Sequence, residues 1–297
     1  MSENIKPRKV WKALLFSIMM FGIGQIYNGQ IKKILILFTC VLATSIIFAV
    51  TKLSTTFYGT IAFFSILIVI NLFSIIDACI SAKKQKNYIP KKYNKWYLHL
   101  FFGIIIYCTI WLFFASPFSF NKNYVQYFHV PTTANAPTIQ LNDYLVADMQ
   151  IYKKSEVDYG DIVTCLIDNN LYCYRVVGKP NDTLFVKDNF LTINNKMLDY
   201  TFVKKINIDG YQIEEYEETF SNGHKHLIWK YLDFSSEKAN TETIIIPHDC
   251  YFLMGDNRDN ALDSRYIGFV SANEIKGKII FILYGKSFKR MNINLTR

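Results

Sequence analysis

The sequence of 297 residues has few charged side chains: 19%, where a soluble domain usually carries about a quarter. Acidic residues are scarcest at the start, since the first 97 residues hold 13 basic but only 2 acidic side chains. Apolar residues make up 51% of the chain, and the mean hydropathy is +0.12. This composition excludes a disordered chain and an ordinary cytosolic enzyme, and predicts a membrane protein with a sizeable water-soluble part.

Two kinds of partner are not expected. A nucleic-acid-binding domain concentrates basic side chains on its folded surface, but residues 98–297 hold 20 basic and 22 acidic side chains. The basic excess lies instead beside apolar segments, as in cytoplasmic loops of membrane proteins. The six cysteines and five histidines show no spacing typical of a metal site. Neither nucleic acid nor a metal ion is therefore a predicted ligand.

Three apolar segments are long enough to cross a bilayer, which takes about 20 residues. They cover residues 34–50, 57–80 and 98–115. A fourth, weaker segment covers residues 13–23 and runs into Gly-Gln-Ile-Tyr-Asn-Gly-Gln at 24–30. The second segment contains one charge, Asp77. We favour an interfacial position near the lysines that follow it over an intramembrane functional role.

Basic residues set the predicted orientation. The loop 82–97 contains six lysines and no acid, so it is expected in the cytoplasm. The third span then carries everything after residue 117 across the membrane. The basic N-terminus is also expected inside, so we favour a re-entrant or interfacial first segment with three true spans. Four spans with an outside N-terminus is the alternative. No small-residue cleavage site follows the first segment, so we expect no cleavable signal peptide.

The predicted domains are therefore a membrane domain, 1–117, and an extracytoplasmic domain, 118–297. In the second, short alternating apolar runs are separated by Asn, Asp and Gly, which predicts an all-β fold. The sequence Asp168-Asn169-Asn170 is typical of a hairpin turn. Cys165 and Cys173 lie on either side of this turn, at positions that would face the same side of the hairpin. They are candidates for a cross-strand disulfide. His224 and His226 are expected on a solvated strand or turn.

Three motifs in the β half carry a family resemblance. Residues 254–270 read Met-Gly-Asp-Asn-Arg-Asp-Asn-Ala-Leu-Asp-Ser-Arg-Tyr-Ile-Gly-Phe-Val and resemble the GDNRDNSxDSR box of the type I signal peptidases, or leader peptidases. Gly-Asp-Ile-Val at 160–163 and Arg-Val-Val-Gly-Lys-Pro-Asn-Asp at 175–182 are similar to the family's GDIV and KRVVGxPGD elements. Val-Pro-Thr-Thr-Ala-Asn-Ala-Pro-Thr-Ile at 130–139 is similar to PSxSMxPTL. Order, spacing and the preceding membrane segments agree with the family.

The resemblance implies a membrane-anchored serine endopeptidase that removes signal peptides from exported preproteins after Ala-x-Ala sequences. In the family a Ser nucleophile is activated by a neutral Lys, one of the variants of the hydrolytic triad. The Lys can act as a base only if burial lowers its pKa from about 10.4. A backbone N–H and a hydroxyl two residues before the nucleophile form the oxyanion hole. This chemistry needs no cofactor, and none is expected.

When the family motifs are carried over position by position, several catalytic residues of the family are replaced in this sequence. The nucleophile position is Ala134, and the general-base position, just before Arg-Val-Val-Gly, is Tyr174. The serine that supports the base is replaced by Ala261, and the methionine after the nucleophile by Asn135. The oxyanion hydroxyl survives as Thr132. The rest of the last box is kept as Gly255, Asp256, Asn257, Asp263, Ser264 and Arg265.

An engineered Ser→Ala change would account for Ala134 alone, so loss of the whole catalytic unit is the simpler interpretation. The expected protein is a catalytically silent homologue in the inner, or cytoplasmic, membrane of a bacterium. It would bind signal peptides, an active signal peptidase or secretion machinery, and membrane lipid. One alternative is an active signal peptidase with an unrecognised nucleophile or base, for which the nearest side chains are Thr133, Thr138, Lys179 and Lys187. A membrane assembly protein is the other.

Overall fold

The computed structural model describes residues 7–89, 95–110, 123–167 and 170–296. The chain divides into two compact units, 1–124 and 125–297. Helices form the first unit, and antiparallel strands dominate the second. The domain boundary predicted at residue 117 lies outside the described residues.

The first unit contains five α-helices in its described part. These are α1 (Val10–Met19), α2 (Ile23–Tyr27), α3 (Ile31–Val50), α4 (Phe57–Lys84) and α5 (Trp96–Ile110). Of the described helices, α3 and α4 are long and apolar enough to cross a membrane. At 1.5 Å per residue, the 10 residues of α1 reach about 15 Å, half of a hydrocarbon core of about 30 Å. The third predicted span coincides with α5 as far as Ile110, and residues 111–115 lie outside the described part.

The Gly-Gln-Ile-Tyr-Asn-Gly-Gln string ties α2 to α4. All five residues of α2 are buried. The side-chain amides of Gln25 and Asn28 donate hydrogen bonds of 2.7 Å to the backbone carbonyls of Ser74 and Ala78. The Ser74 hydroxyl also donates to Oε1 of Gln25 at 3.3 Å, so polar side chains join α2 to α4. The string is a packing element of the helical unit.

Asp77 forms an ion pair with a lysine from a different helix. The Nζ atom of Lys33 in α3 lies 2.6 Å from Oδ1 of Asp77 in α4. The same Nζ atom is 3.4 Å from the hydroxyl of Ser81. The charge of Asp77 is thus balanced by α3 and not by the lysines that follow it in the sequence.

Besides three 3-10 turns, the described part of the second unit contains fifteen strands and one short α-helix. They are β1 (Val125–His129), β2 (Tyr144–Asp148), β3 (Ile162–Ile167), β4 (Asn170–Gly178), β5 (Thr183–Lys187), β6 (Phe190–Ile193), β7 (Lys196–Met197), β8 (Asp199–Ile208), β9 (Tyr211–Thr219), β10 (Lys225–Tyr231), β11 (Ile244–Ile245), β12 (Cys250–Met254), α6 (Ser264–Ile267), β13 (Val270–Ser271), β14 (Ile275–Tyr284) and β15 (Ile293–Asn294). The ladders between these strands are antiparallel. The predicted all-β second half is confirmed.

Three sheets organise this unit. The largest has the order β1-β2-β14-β3-β4-β12-β13, with β15 beside β14. Two smaller sheets follow the orders β10-β9-β8 and β11-β5-β6-β7. Alternating side chains of β2, β3 and β14 form an apolar core that contains Leu145, Ile162 and Ile279. A second core includes Val163, Tyr174 and Leu253, from β3, β4 and β12.

The register of the β3–β4 hairpin separates the two cysteines that were candidates for a disulfide. Thr164 pairs with Cys173, and Cys165 pairs with Tyr172. Directly opposed residues share a face of the sheet and neighbours along a strand alternate, so Cys165 and Cys173 point to opposite faces. Both are free thiols. The predicted pairing is wrong because Ile167 pairs with Asn170, which leaves two residues between the strands instead of the three-residue turn. Residues 168 and 169 lie outside the described part.

Candidate functional site

A cleft with a volume of about 810 Å³ opens in the second unit. Its walls come from three stretches that are distant in sequence: residues 128–135, residues 171–174 of β4, and residues 259–262, which precede α6. Its apolar floor includes Ile139, Leu145 and Ile279. The large sheet thus supplies the floor and one wall, and two loops complete the cleft.

The structure brings together the four positions to which the family resemblance assigns chemistry. Thr132, Ala134, Tyr174 and Ala261 all line this cleft. Ala134 also packs against the apolar cluster that contains Tyr174. Thr132 is exposed, whereas Tyr174 and Ala261 are buried. The nucleophile, base and base-support positions therefore converge on one place, but each carries a side chain without the expected chemistry.

Gly255 allows the nucleophile and base-support positions to approach each other. A Cβ atom added to Gly255 would overlap the carbonyl oxygen of Ala134 and lie 2.5 Å from the Cβ atom of Ala261. Contacts that short do not occur between real side chains, and the first is with backbone, which cannot rotate away. The loop 131–135 and the loop 259–262 therefore need glycine between them.

Asn257 holds the Ala134 loop from the other side. Its backbone N–H donates to the carbonyl of Ala134 at 3.0 Å, and its side-chain amide donates to the carbonyl of Thr133 at 3.1 Å. The side chain of Asn260 donates to the Thr133 hydroxyl at 3.2 Å. These bonds fix the backbone at the nucleophile position even though Ala134 has no reactive group.

Tyr174 acts as a hydrogen-bond donor across the cleft. Its side chain is 5% exposed, and its hydroxyl donates to the backbone carbonyl of Leu262 at 2.6 Å. Its ring stacks on Tyr172, with the ring centres 6.0 Å apart. Burial, followed by the negative charge of Asp263, raises the pKa of the Tyr174 phenol above its ordinary value of 10. The phenol therefore keeps its proton and cannot serve as a base near neutral pH.

Asn135 lines the cleft and carries an unused acceptor. The side chain is 6% exposed, and its amide nitrogen donates to the carbonyl of Cys173 at 2.6 Å. Its Oδ1 atom is buried and has no hydrogen-bond partner among the described residues. An unsatisfied buried acceptor costs about 1–3 kcal/mol, so a ligand N–H that reached this oxygen would gain from the contact.

The last box of the family pattern forms a buried frame behind the cleft. The Arg265 guanidinium makes a two-bond pair with Asp263, with distances of 2.8 Å for both Nε–Oδ1 and Nη2–Oδ2. Oδ2 of Asp263 also accepts from the backbone N–H of Gly255 at 3.0 Å. The Ser264 hydroxyl accepts from the backbone N–H of Leu253 at 3.0 Å. These bonds connect α6 to β12 and to the glycine between the two alanines.

A second buried ion pair connects β4 to the same box. Nε and Nη2 of Arg175 each donate to one carboxylate oxygen of Asp256 at 2.7 Å. Both side chains are almost fully buried. Burial alone would raise the pKa of Asp256, but the attraction of Arg175 outweighs it and lowers that pKa below its ordinary range. Arg175 directly follows Tyr174, so this pair also fixes the wall of the cleft.

Sequence reasoning missed a third pair, between Arg258 and Glu218. Nη2 of Arg258 lies 2.6 Å from Oε2 of Glu218, and both side chains are fully buried. The charge of Arg258 outweighs the effect of burial and lowers the pKa of Glu218. Arg258 belongs to the motif string Gly-Asp-Asn-Arg at 255–258, but Glu218 lies in β9, far away in sequence. Only the fold could reveal this partner.

His224 and His226 were predicted on a solvated strand or turn, and the structure contradicts this prediction. His226 is buried in β10, with Nε2 3.1 Å from Oε2 of Glu218. Burial and the charge of Arg175 lower its pKa. His224 is half-buried, and its Nε2 lies 3.2 Å from Nη1 of Arg175. Burial, and then the same arginine, lower the pKa of His224 to about 4. The prediction fails because both rings turn toward charged groups from other elements.

The substitute side chains considered from the sequence divide into two groups. Thr133 lines the cleft, whereas Thr138, Lys179 and Lys187 do not. The Thr138 hydroxyl accepts from Arg175 at 3.4 Å, and Nζ of Lys179 lies 3.0 Å from Oδ1 of Asp158. In the described ranges no group of three or more His, Cys, Asp or Glu residues is placed to hold a metal ion.

Comparison with known proteins identifies the class. Residues 93–284 match the family model described as "Signal peptidase, peptidase S26". The chain therefore belongs to the signal peptidase family, which confirms the resemblance seen in the motifs.

Two Rickettsia relatives agree with this assignment. Signal peptidase I of Rickettsia prowazekii is 30% identical over 187 residues, covering 53% of this chain and 71% of the relative. Signal peptidase I of Rickettsia conorii is 29% identical over 187 residues, covering 53% and 70%. A crystal structure of a signal peptidase I from Enterococcus faecalis is 21% identical, covers 42% of this chain and 97% of that chain, and has a TM-score of 0.26.

Proposed function

We propose that this chain is a catalytically silent, membrane-anchored member of the signal peptidase family whose cleft binds signal peptides of exported preproteins. The observation that carries the proposal is the convergence of Ala134, Tyr174 and Ala261 on one cleft. In the family pattern these positions hold the nucleophile, the base and the support of the base. Removing the nucleophile of a hydrolytic triad lowers turnover by a factor on the order of 10⁶. Here all three functions are replaced together.

The remaining side chains of the cleft support loss of hydrolysis. Of the described residues that line it, none is serine or lysine. A threonine hydroxyl needs an adjacent base to become a nucleophile. His129 lines the cleft, but its Nε2 atom pairs with Oδ1 of Asn142 at 3.1 Å. Tyr174 keeps its proton and donates a hydrogen bond to the backbone carbonyl of Leu262.

Other features support retained binding. The buried pairs Arg175–Asp256 and Arg265–Asp263 keep the walls of the cleft in place. The free Oδ1 atom of Asn135 offers a buried acceptor to a backbone N–H of a peptide. Small residues of an Ala-x-Ala sequence suit a cleft with an apolar floor, because each buries a methyl group without needing a polar partner.

The proposal includes a topology of three true spans, with the N-terminus in the cytoplasm and the second unit outside, in the inner membrane of a bacterium. The lysine-rich loop 82–97 and the short α1 support it. A fusion of alkaline phosphatase to the C-terminus should be active, and a fusion after residue 89 should be inactive. Four spans would instead give an active phosphatase fused to the N-terminus.

The test of function is a paired cleavage and binding assay. Full-length chain in detergent is mixed with a preprotein that carries an Ala-x-Ala site, and the products are measured by intact mass. We expect no cleavage, together with saturable binding that a synthetic signal peptide displaces. A product ending at the site would instead establish an active enzyme with an unrecognised nucleophile. Neither cleavage nor binding would favour a membrane assembly protein.

A further inference from the structure

A partly buried arginine with two buried, unused donor atoms lies at one end of the helical unit. The guanidinium of Arg8 lies between two aromatic rings, 4.5 Å from the ring centre of Tyr27 and 3.9 Å from that of Tyr88. Its Nε and Nη2 atoms are buried and have no hydrogen-bond partner within the described part of the chain. These two atoms form one side of the guanidinium fork, the shape that binds phosphate or carboxylate through two parallel bonds.

The two rings are held in place by the surrounding backbone. The backbone N–H of Lys9 donates to the Tyr27 hydroxyl at 3.0 Å. Gly29 has a φ of +76°, and a Cβ atom there would overlap the hydroxyl of Tyr88. The backbone N–H of Arg8 donates to the carbonyl of Gln85 at 3.1 Å. The donor edge of Arg8 is therefore preformed, which reduces the entropy lost when a ligand binds.

Two unused acceptors lie in the same region. The Oδ1 atom of Asn28 and the Oε1 atom of Gln85 are buried without a hydrogen-bond partner among the described residues. These two side chains are adjacent, because the amide nitrogen of Gln85 donates to the carbonyl of Asn28 at 3.1 Å. The backbone bond from Arg8 to Gln85 connects this pair to the arginine. Acceptors and a donor fork in one region suit a ligand that carries an oxyanion and hydroxyl groups.

The position along the helices suggests where such a ligand comes from. Arg8 precedes α1 and Gln85 follows α4, and the bond between them places both at the same end of the unit. The 28 residues of α4 extend about 42 Å at 1.5 Å per residue, which matches the 40–45 Å of a bilayer with its headgroups. Exposed lysines lie on the same segments: Lys9, Lys83, Lys84 and Lys86. Arg8 is thus at headgroup depth if α4 spans the membrane.

We infer that Arg8 binds the phosphate of an anionic phospholipid headgroup, with Asn28 and Gln85 accepting hydrogen bonds from headgroup hydroxyls. The inference rests on the proposed membrane anchor and on nothing proposed for the cleft. Soluble phosphate shares the oxyanion chemistry, so the experiment must distinguish the two sources.

The probe is phosphatidylglycerol, whose headgroup carries one phosphate and two hydroxyls. Lipid retained by the purified full-length chain is measured by native mass spectrometry. Because a hydrogen bond to a charged group contributes about 1.5–3 kcal/mol, Arg8→Gln should lower retention about tenfold or more. The matched control, Lys9→Gln, removes one exposed positive charge next to the site and should retain lipid as the unmodified chain does. Arg8→Lys keeps the charge but not the fork, and should resemble Arg8→Gln.

Further arms distinguish the outcomes. Displacement of the lipid by millimolar inorganic phosphate would support the oxyanion site but assign it to soluble phosphate, and resistance would assign it to lipid. Equal losses in Arg8→Gln and Lys9→Gln, or equal retention of phosphatidylcholine, would overturn the inference. Unchanged helical circular dichroism confirms that each variant is folded. Peptide binding in the cleft should be unaffected by Arg8→Gln, and extraction of the chain without detergent would contradict the membrane anchor itself.

Discussion

The hydroxyl of Tyr174 donates a 2.6 Å hydrogen bond to the backbone carbonyl of Leu262, joining β4 to the loop that precedes α6. In the family pattern this position holds a lysine that takes a proton from the nucleophile. Here the same position holds a group whose proton is already used in a structural bond, and burial makes that proton harder to remove. Ala261 stands next to Leu262 and has no hydroxyl to support a base. The wall of the cleft therefore carries a structural hydrogen bond at the position where the family pattern has a base.

Removing this bond should lower stability without changing peptide binding. Tyr174→Phe keeps the ring and its packing but leaves the carbonyl of Leu262 without its partner. A hydrogen bond of this kind contributes about 0.5–1.5 kcal/mol to the free energy of unfolding. The expected loss is therefore about 1 kcal/mol, measured by denaturant unfolding in detergent. Tyr172→Phe is the matched control, because the Tyr172 hydroxyl has no hydrogen-bond partner in the described residues. Equal losses in the two variants would contradict a structural role for the Tyr174 hydroxyl.

Restoring the three lost groups together should restore hydrolysis. In the triple variant Ala134→Ser, Tyr174→Lys and Ala261→Ser, a lysine would occupy a site that is 5% exposed. Burial disfavours the charged form and lowers the pKa of lysine, as a general base requires. We expect cleavage of an Ala-x-Ala preprotein at least about 10³-fold above the unmodified chain, since such groups act as a unit.

The single variant Ala134→Ser is the control for this restoration. It supplies a nucleophile but leaves Tyr174 and Ala261 in place, so cleavage should stay at the level of the unmodified chain. A folded, peptide-binding triple variant that cleaves nothing would show that more than these three positions has been lost. Cleavage by Ala134→Ser alone would show that another residue already serves as the base.

The sequence predicted the site better than it predicted strand pairing. The motif strings around Ala134 and Tyr174 are local patterns, and their positions in the cleft follow once the strands on either side form. Whether the side chains of Cys165 and Cys173 lie on the same face of the sheet depends on the register of β3 and β4. A change of one residue in the turn reverses the face of every side chain on a strand, and no pattern within the strands reports the length of the turn.

Long-range partners were the second kind of information absent from the sequence. His226 follows a histidine and a lysine at the start of β10, and such a run of polar residues is typical of a solvated strand end. Glu218 lies opposite His226 in the β9–β10 hairpin, but Arg175 in β4 reaches it only when two sheets come together. The helical unit shows the same limit, because the pairing of Asp77 with Lys33 requires that α3 and α4 be adjacent.

Gly255 should tolerate no side chain. Gly255→Ala would force a methyl group against the carbonyl of Ala134 and the Cβ atom of Ala261. Overpacking of this kind costs about 1–3 kcal/mol, and relief requires the Ala134 loop to move. We expect a lower free energy of unfolding. We also expect signal-peptide binding to weaken about tenfold, because the displaced loop lines the cleft; a tenfold change in Kd is about 1.4 kcal/mol of binding free energy.

Gly210 provides the control for this substitution. It has a φ of +91° with open space around it, so Gly210→Ala should cost about 1–2 kcal/mol from backbone strain alone. Binding should then be unchanged. Equal loss of binding in the two variants would show that general destabilisation, and not contact with Ala134, is responsible.

Acid should destabilise the second unit before its carboxylates titrate. His224 has a folded-state pKa of about 4, below the ordinary 6.5, because of burial and the nearby Arg175. His226 is shifted in the same direction. The unfolded chain therefore binds more protons than the folded chain as pH falls from 6.5 toward 4, and stability falls with it. Each proton contributes at most about 1.4 kcal/mol per pH unit, and solvent around the half-buried His224 reduces its share.

The lowered pKa values of Glu218 and Asp256 act at more acidic pH. Their stabilisation is present above about pH 4.5 and is lost below it, so unfolding measured between pH 7.5 and 5 isolates the histidines. His224→Gln removes one titrating group while keeping a side chain that can accept from Arg175. Its unfolding free energy should decline less steeply over this range than that of the unmodified chain. A free energy of unfolding that stays constant down to pH 5, or an unchanged slope in His224→Gln, would contradict this prediction. Either result would show that protonation of His224 does not destabilise the fold.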